Sequence, residues 1–208
     1  MNRRAFLRNA VALGVACGGG VALFRGEAEA ARGGAGLRPP GARSEAEFLS
    51  RCIRCFRCAD ACPNGAIVAL NPQTGRDFSR TPGPAEAGTP VIFPRRQACM
   101  LCQGVPGDEL LCTAACPSGA LQLVRKDPAD IQAKVRMGTA RIDHNICYSW
   151  NCASCGVCAR ACPFEGRALK VGIFERPVVD PAYCVGCGLC ERACIRYPQA
   201  ASVEPRRA

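Results

Sequence analysis

Aromatic residues and histidine are scarce in this chain. Only 6% of its 208 residues are aromatic, and His144 is the single histidine. A protein of this length normally fills its core with large aromatic and branched side chains, so something other than side-chain packing must fill part of this interior. The sequence also lacks a Ser, His and Asp combination for nucleophilic catalysis and a glycine motif for nucleotide binding, which argues against an enzyme with a small-molecule substrate.

Cysteine is the residue in excess, with eighteen copies. Cys17 stands apart near the start, and the other seventeen form four motifs within residues 52–62, 99–116, 147–162 and 184–194. In chain order these motifs are Cys52, Cys55, Cys58 and Cys62; Cys99, Cys102, Cys112 and Cys116; Cys147, Cys152, Cys155, Cys158 and Cys162; and Cys184, Cys187, Cys190 and Cys194. All seventeen are candidate metal ligands.

The spacing of these motifs is that of bacterial ferredoxins. In those proteins three cysteines separated by two residues bind one [4Fe–4S] cluster, and a fourth cysteine binds a neighbouring cluster. Structural zinc sites instead use separated pairs of cysteines, often with histidine, and a disulfide framework does not explain four near-identical runs. The sequence therefore predicts four [4Fe–4S] clusters and no catalytic residue.

The second and third motifs depart from the regular spacing. In the second, nine residues separate Cys102 from Cys112, which predicts an extended loop at one wall of that site. In the third, five cysteines compete for four ligand positions: the regular spacing uses Cys152, whereas a longer loop would use Cys147. Spacing alone leaves this choice open.

The formal charge of +10 does not by itself indicate nucleic-acid binding. Residues 1–30 have the features of an export signal, as described below, and contain four Arg and two Glu. Without them the formal charge is +8. A [4Fe–4S] cluster with four thiolates carries net negative charge, and four of them offset most of this surplus. Because unpaired buried charge is costly, we interpret the arginines as compensation for the clusters. No interleaved aromatic and basic patch favours a nucleic-acid partner.

Residues 1–30 have the features of an export signal. Arg3 and Arg4 precede Phe6 and Leu7, and residues 10–24 are apolar but short and rich in glycine for a membrane span. The segment resembles a twin-arginine signal and ends in a small-residue cleavage site at residues 28–30. We therefore expect a periplasmic protein, free or peripheral at the membrane; an uncleaved anchor is the alternative.

The segments between the motifs predict a small, loop-rich α+β fold. Residues 31–46 predict a flexible leader, and residues 71–94, rich in Pro and Gly, predict loop. Short apolar runs at residues 66–70, 120–124, 168–173 and 200–203 predict small strands, and residues 125–140 predict a short helix entered after Pro128. We expect residues 47–208 to form two bacterial ferredoxin-like modules, each with two clusters.

The pattern as a whole resembles one family. An export signal, four motifs, an expanded second motif, and Ile142, Cys147 and Trp150 ahead of the third motif are similar to the MauM/NapG ferredoxin-type proteins. In that family the third motif also opens with a cysteine several residues ahead, which favours Cys147 over Cys152. Ile195, in place of the proline that follows the other motifs, is a departure. The resemblance implies an exported electron carrier with four clusters.

The resemblance also implies redox partners. Electrons would enter from a membrane-bound quinol-oxidising ferredoxin-type protein and leave to a periplasmic redox enzyme of a nitrate reductase or methylamine oxidation system. No nucleic acid and no small-molecule substrate are expected. Two rival interpretations stay open: an iron–sulfur subunit bound permanently in a molybdenum oxidoreductase, and a structural zinc-binding adaptor.

A broader resemblance, to the four-cluster subunits of molybdenum reductases, implies nested motifs. The first motif would then pair with the fourth and the second with the third. The ligand sets would be Cys52, Cys55, Cys58 and Cys194; Cys184, Cys187, Cys190 and Cys62; Cys99, Cys102, Cys112 and Cys162; and Cys147 or Cys152 with Cys155, Cys158 and Cys116. Sequential pairing, first with second, is the alternative.

Overall fold

The computed structural model describes residues 36–77, 81–151 and 153–206. The predicted export signal at residues 1–30, Cys17, the first part of the predicted leader and Cys152 lie outside these ranges. Within the ranges, no helix is long and apolar enough to cross a membrane.

The helices in this part of the chain are short, with four to seven residues each. They are α1 (Glu45–Arg51), α2 (Arg57–Asp60), α3 (Pro72–Asp77), α4 (Leu111–Ala114), α5 (Pro128–Lys134), α6 (Val157–Arg160) and α7 (Leu189–Ala193), with 3₁₀ helices at Tyr148–Trp150 and Ile173–Glu175. Helix α1 begins where the Ser44 hydroxyl accepts a hydrogen bond from the Glu47 N–H. Helix α5 begins where Asp127 accepts two backbone hydrogen bonds and Pro128 occupies the first turn, as its sequence predicts.

Four of the helices occupy the same place in the four cysteine motifs. Helices α2, α4, α6 and α7 each carry one cysteine from the middle of a motif, in order Cys58, Cys112, Cys158 and Cys190. Helix α2 contacts α4, and helix α6 contacts α7. The chain is therefore built from a repeated unit, and the four units associate in two neighbouring pairs.

The strands pair in two-stranded antiparallel sheets. Strand β1 (Ile67–Ala69) pairs with β2 (Pro90–Ile92), β3 (Gly138–Ile142) with β6 (Ala201–Pro205), and β4 (Leu169–Val171) with β5 (Pro177–Val179). Strands β1, β4 and β6 each follow the last cysteine of a motif, which confirms three of the four predicted strands. The β3–β6 sheet joins the C-terminal strand to the segment that precedes the third motif.

Three expectations from the sequence are wrong. Residues 71–94 contain α3 and β2 and are not loop throughout. Residues 120–124 form no strand, and Leu121 makes only an isolated bridge with Ala42. Residues 36–46 are not a flexible leader, because Leu37 is fully buried and exchanges two backbone hydrogen bonds with Ile92, of 2.9 and 2.7 Å. Local composition marks turns, but these pairings join residues that lie far apart in the chain.

The Arg38 side chain connects residues 36–46 to the core through hydrogen bonds. Its Nη1 donates to Thr89 Oγ1 at 2.7 Å and to the Pro90 carbonyl at 3.2 Å, and its Nε donates to a carboxylate oxygen of Glu45 at 2.9 Å. The guanidinium also lies 4.8 Å from the centre of the Phe48 ring. A buried guanidinium is costly unless its donors are satisfied, so this set of contacts makes the segment an ordered part of the fold.

Gly41 gives a test of how closely the same segment packs. Its φ is +75°, and a Cβ at this position would overlap the Gln122 carbonyl oxygen and lie 3.1 Å from Thr113 Cγ2. Gly166 has the same φ of +75° but no neighbouring atom within 4 Å of such a Cβ. Both Gly→Ala changes cost roughly 1–2 kcal/mol in backbone strain. G41A should destabilise the fold by about 1–3 kcal/mol more than G166A does, because the new Cβ at position 41 would overlap its neighbours.

The measurement is the guanidinium concentration at which half of the cluster-loaded chain is unfolded after a fixed time, followed by circular dichroism, and this midpoint should be lower for G41A than for G166A. Equal destabilisation by G41A and G166A would show that residues 36–42 are not packed against residues 113–124 as described.

Candidate metal centres

Two cavities lie in the first half of the described chain, which holds the first and second motifs, and two lie in the second half, which holds the third and fourth. Each cavity is lined by four cysteine side chains. Site A is lined by Cys52, Cys55, Cys58 and Cys116; site B by Cys62, Cys99, Cys102 and Cys112; site C by Cys162, Cys184, Cys187 and Cys190; and site D by Cys147, Cys155, Cys158 and Cys194. Together the sites use all sixteen cysteines of the described ranges, none of which forms a disulfide.

Each site combines three cysteines of one motif with the last cysteine of another. The first motif exchanges its last cysteine with the second, and the third exchanges with the fourth. The nested sets are therefore wrong: Cys194 lines site D and not a site of the first motif, and Cys116 lines site A and not a site of the third. The contacts of α2 with α4, and of α6 with α7, place the last cysteine of each motif beside three cysteines of its partner motif.

The structure places Cys147 in the lining of site D, whereas Cys152 lies outside the described residues. The Cys147 side chain is buried, and its N–H donates to the Asp143 carbonyl at 3.0 Å. The Asn151 side-chain amide donates to the Cys147 carbonyl at 2.9 Å and holds the following turn. The wider spacing to Cys155 is thus accommodated by the 3₁₀ helix Tyr148–Trp150.

The expanded loop of the second motif leaves its three cysteines together. Cys99, Cys102 and Cys112 all line site B although nine residues separate the last two. The loop is held by Lys126, whose Nζ donates to the carbonyls of Val105 at 2.7 Å and Pro106 at 3.1 Å. The sequence predicted the loop but gave no indication of this anchor, because Lys126 lies beyond the motif.

Burial dominates the electrostatics of these sites. Burial raises the pKa of Cys58 and of Cys112 to about 12, and neighbouring thiols, Cys116 and Cys102 respectively, add to the rise. Burial likewise raises the pKa of Cys187 to about 12. Thiolates are therefore costly at these positions unless a bound cation offsets their charge.

Backbone N–H groups point at several of the sulfurs. The Ala66 N–H donates to Cys62 Sγ at 3.3 Å, and the Ala140 N–H donates to Cys184 Sγ at 3.4 Å. Ala140 belongs to β3, so the β3–β6 sheet directs a donor at site C. Hydrogen bonds of this kind stabilise thiolate ligands and tune the reduction potential of an iron–sulfur cluster.

The donor set and the space fit [4Fe–4S] clusters. Four cysteine sulfurs are the usual ligands of such a cluster. At each site four sulfurs line one cavity that is partly open to solvent, whereas a single zinc ion draws its ligands to about 2.0–2.3 Å. Among the residues that the structure describes, no group of three or more His, Cys, Asp or Glu converges closely enough to hold a single ion.

Family models match the chain in the same regions. A 4Fe-4S dicluster domain matches residues 51–120, which hold the first and second motifs. Two 4Fe-4S binding domains match residues 151–165 and 177–195, in the third and fourth motifs. The chain therefore contains 4Fe-4S ferredoxin-type domains.

Similar proteins share the ferredoxin-type description. The methylamine utilization ferredoxin-type protein MauM of Paracoccus denitrificans is 36% identical over 81% of this chain and 68% of its own length. MauM of Methylobacillus flagellatus is 35% identical over 69% of this chain and 57% of its own length. The ferredoxin-type protein NapG of Escherichia coli is 36% identical over 77% of this chain and 63% of its own length.

The chain thus spans little more than half the length of some of these relatives. Their names are those of ferredoxin-type proteins and not of enzymes, in agreement with the prediction of an electron carrier. A solved complex of formate dehydrogenase, heterodisulfide reductase and formylmethanofuran dehydrogenase from Methanospirillum hungatei matches 77% of this chain and 51% of that chain, at 22% identity. Its TM-score of 0.24 is too low to support any statement about this chain. The relatives, the four cysteine motifs and the matched domains together establish that the chain belongs to the MauM/NapG family of ferredoxin-type proteins.

Proposed function

We propose that the chain is a periplasmic electron-transfer protein with four [4Fe–4S] clusters, one in each of sites A to D. The observation that carries the proposal is that each of the four cavities is lined by four cysteines. The ligands would be the four sets given above for these sites, with Cys147 completing site D. When bound, each cluster would take up or release one electron.

The protein's own residues supply the setting for this chemistry. The short helices and tight loops fix the thiols, burial limits water at the sulfurs, and backbone donors such as the Ala66 and Ala140 N–H groups stabilise the thiolates. Cys55, by contrast, is exposed, so site A lies close to the surface. A site at the surface can exchange electrons with another protein, as a relay requires.

The partners in this proposal follow from the family. Electrons enter from a membrane-bound quinol-oxidising ferredoxin-type protein and leave to a periplasmic oxidoreductase of a nitrate or methylamine system. The name of the MauM relatives, methylamine utilization ferredoxin-type protein, supports the methylamine system, and the nitrate system is what the resemblance to NapG implies. The twin-arginine signal in the sequence supports export, a route that lets a folded, cluster-loaded chain reach the periplasm.

Serine substitutions at Cys147 and Cys152 test the ligand assignment of site D. C147S removes a thiolate from the site, so the purified protein should lose about a quarter of its iron and sulfide. C152S is the matched control and should retain the iron and sulfide content of the unmodified chain. The measurement is iron and acid-labile sulfide per chain after anaerobic purification. Loss of iron from C152S, with full content in C147S, would reverse the assignment.

Deletion of the gene in its own organism tests the electron-relay function. The deletion strain should lose quinol-dependent electron transfer to nitrate, or growth on methylamine, while the terminal enzyme stays active with an artificial electron carrier. The artificial carrier bypasses the relay, so this control separates a lost relay from a lost enzyme. Unchanged nitrate reduction and unchanged growth on methylamine in the deletion strain would contradict the proposal.

Complementation of that strain tests the export route. The unmodified chain should restore the phenotype, whereas a chain with R3K and R4K should accumulate cluster-loaded in the cytoplasm and fail to restore it. Full restoration by the doubly substituted chain would contradict twin-arginine export.

A further inference from the structure

The two halves of the chain meet where the ligand loops of sites B and C touch. The Cys99 N–H donates to the Cys187 carbonyl oxygen at 3.0 Å. Cys99 lines site B in the first half, and Cys187 lines site C in the second half. One hydrogen bond therefore connects two cysteines that line different sites.

Two arginines make hydrogen bonds across the same junction between the two halves. Arg95 Nη1 donates to the carbonyls of Glu191 at 3.3 Å and Cys194 at 3.2 Å. Arg192 Nη1 donates back to the carbonyls of Arg95 at 3.0 Å and Arg96 at 2.6 Å. The contact between the halves thus extends from the ligand loop along helix α7. Each half donates hydrogen bonds to backbone carbonyls of the other.

Two glycines beside Cys187 allow close packing, Gly188 against the first half of the chain and Gly186 against strand β3 of the second half. A Cβ on Gly186 would lie within 2.6 Å of the Gly138 Cα, and a Cβ on Gly188 would overlap the Cβ of Pro94 and lie 2.7 Å from its Cγ. Real Cβ atoms do not come this close to backbone or ring atoms. Any larger residue at position 186 or 188 would therefore push the loop of site C away from its neighbours.

The first motif shows that backbone conformation is not the reason for these glycines. Gly186 and Gly188 have positive φ, but the equivalent residues of the first motif, Arg54 and Phe56, also have positive φ, of 57° and 59°. The ligand loop can therefore adopt this conformation with side chains present. Glycine is needed at position 188 because of the space that Pro94 of the first half occupies, and at position 186 because of the space that Gly138 of strand β3 occupies.

The order of the four sites follows from which helices are neighbours. Helix α2, which carries Cys58 of site A, contacts helix α4, which carries Cys112 of site B. Helix α6, which carries Cys158 of site D, contacts helix α7, which carries Cys190 of site C. With the junction between B and C, the sites form the series A, B, C, D.

We propose that Gly188 is a positioning residue that holds the ligand loop of site C against the first half of the chain, beside site B, and that electrons cross between the two halves at the Cys99–Cys187 contact. The inference rests on the proposed electron-transfer function. Each crossing moves one electron from a reduced cluster at one site to an oxidised cluster at the other, with no bond made or broken. Because electron tunnelling slows steeply with distance, a small separation of the two loops slows the crossing.

The substitution G188A tests this role, with G156A as the matched control. Gly156 holds the equivalent position in the third motif, with a φ of +57°, and a Cβ there would meet the side chains of Arg160 and Glu175, at 3.0 Å or more. The backbone change is the same in both variants, but only G188A meets the other half of the chain. A double variant, P94G with G188A, removes the Pro94 atoms that the new Cβ would meet.

Two readouts on the full-length, cluster-loaded chain decide the matter. After laser photoreduction with less than one electron per chain, redistribution of electrons among the clusters should be severalfold slower in G188A than in the unmodified chain. Magnetic coupling between clusters in the fully reduced protein, seen by electron paramagnetic resonance, should also weaken. G156A should leave both unchanged, and P94G with G188A should restore both.

The iron content separates failure of this inference from failure of the proposed function. If all variants keep full iron and G188A redistributes electrons as fast as G156A, the junction does not position the sites, although the protein remains a carrier. If G188A loses iron, recovery of iron and of the redistribution rate in the double variant supports the steric origin, and absence of recovery overturns it. An unmodified chain without clusters would overturn the proposed function itself.

Discussion

The convergence of four cysteine thiols on each of four cavities, with at least one of the four buried at every site, is the constraint on which the rest of this structure depends. Burial raises the pKa of Cys58, Cys112 and Cys187 to about 12, so the thiolates would be costly without positive charge beside them. In the function proposed above, iron–sulfur clusters supply that charge and also fill the cavities that a sequence poor in aromatic residues leaves in its core. Metal binding and folding are therefore linked in this chain.

The remaining architecture serves to bring cysteines from different motifs to one cavity. Helices of four or five residues carry one cysteine each, and the paired contacts of α2 with α4 and of α6 with α7 exchange the last cysteine of each motif. The two halves are then joined at Cys99 and Cys187, where Gly188 leaves room for Pro94 of the first half. The four cysteine motifs thus form a series of four sites.

Much of the site was predictable from sequence because its ligands are marked by local spacing. Fifteen of the sixteen cysteines that line the cavities, and the strands after three motifs, followed from short patterns, whereas the choice of Cys147 needed a family resemblance. The pairing of motifs was not predictable, because nothing in the spacing around Cys62 or Cys194 specifies a distant partner. The burial of Leu37 and Arg38 was missed for the same reason: their partners, Ile92 and Thr89, lie far along the chain.

Metal analysis of the anaerobically purified full-length protein tests the central claim most directly. Iron, acid-labile sulfide and zinc would be measured on the same sample and expressed per chain. The account predicts about sixteen irons with an equal amount of sulfide, four for each of the four sites, and no stoichiometric zinc. Stoichiometric zinc without iron and sulfide, or a reproducible content of about eight irons, would contradict it.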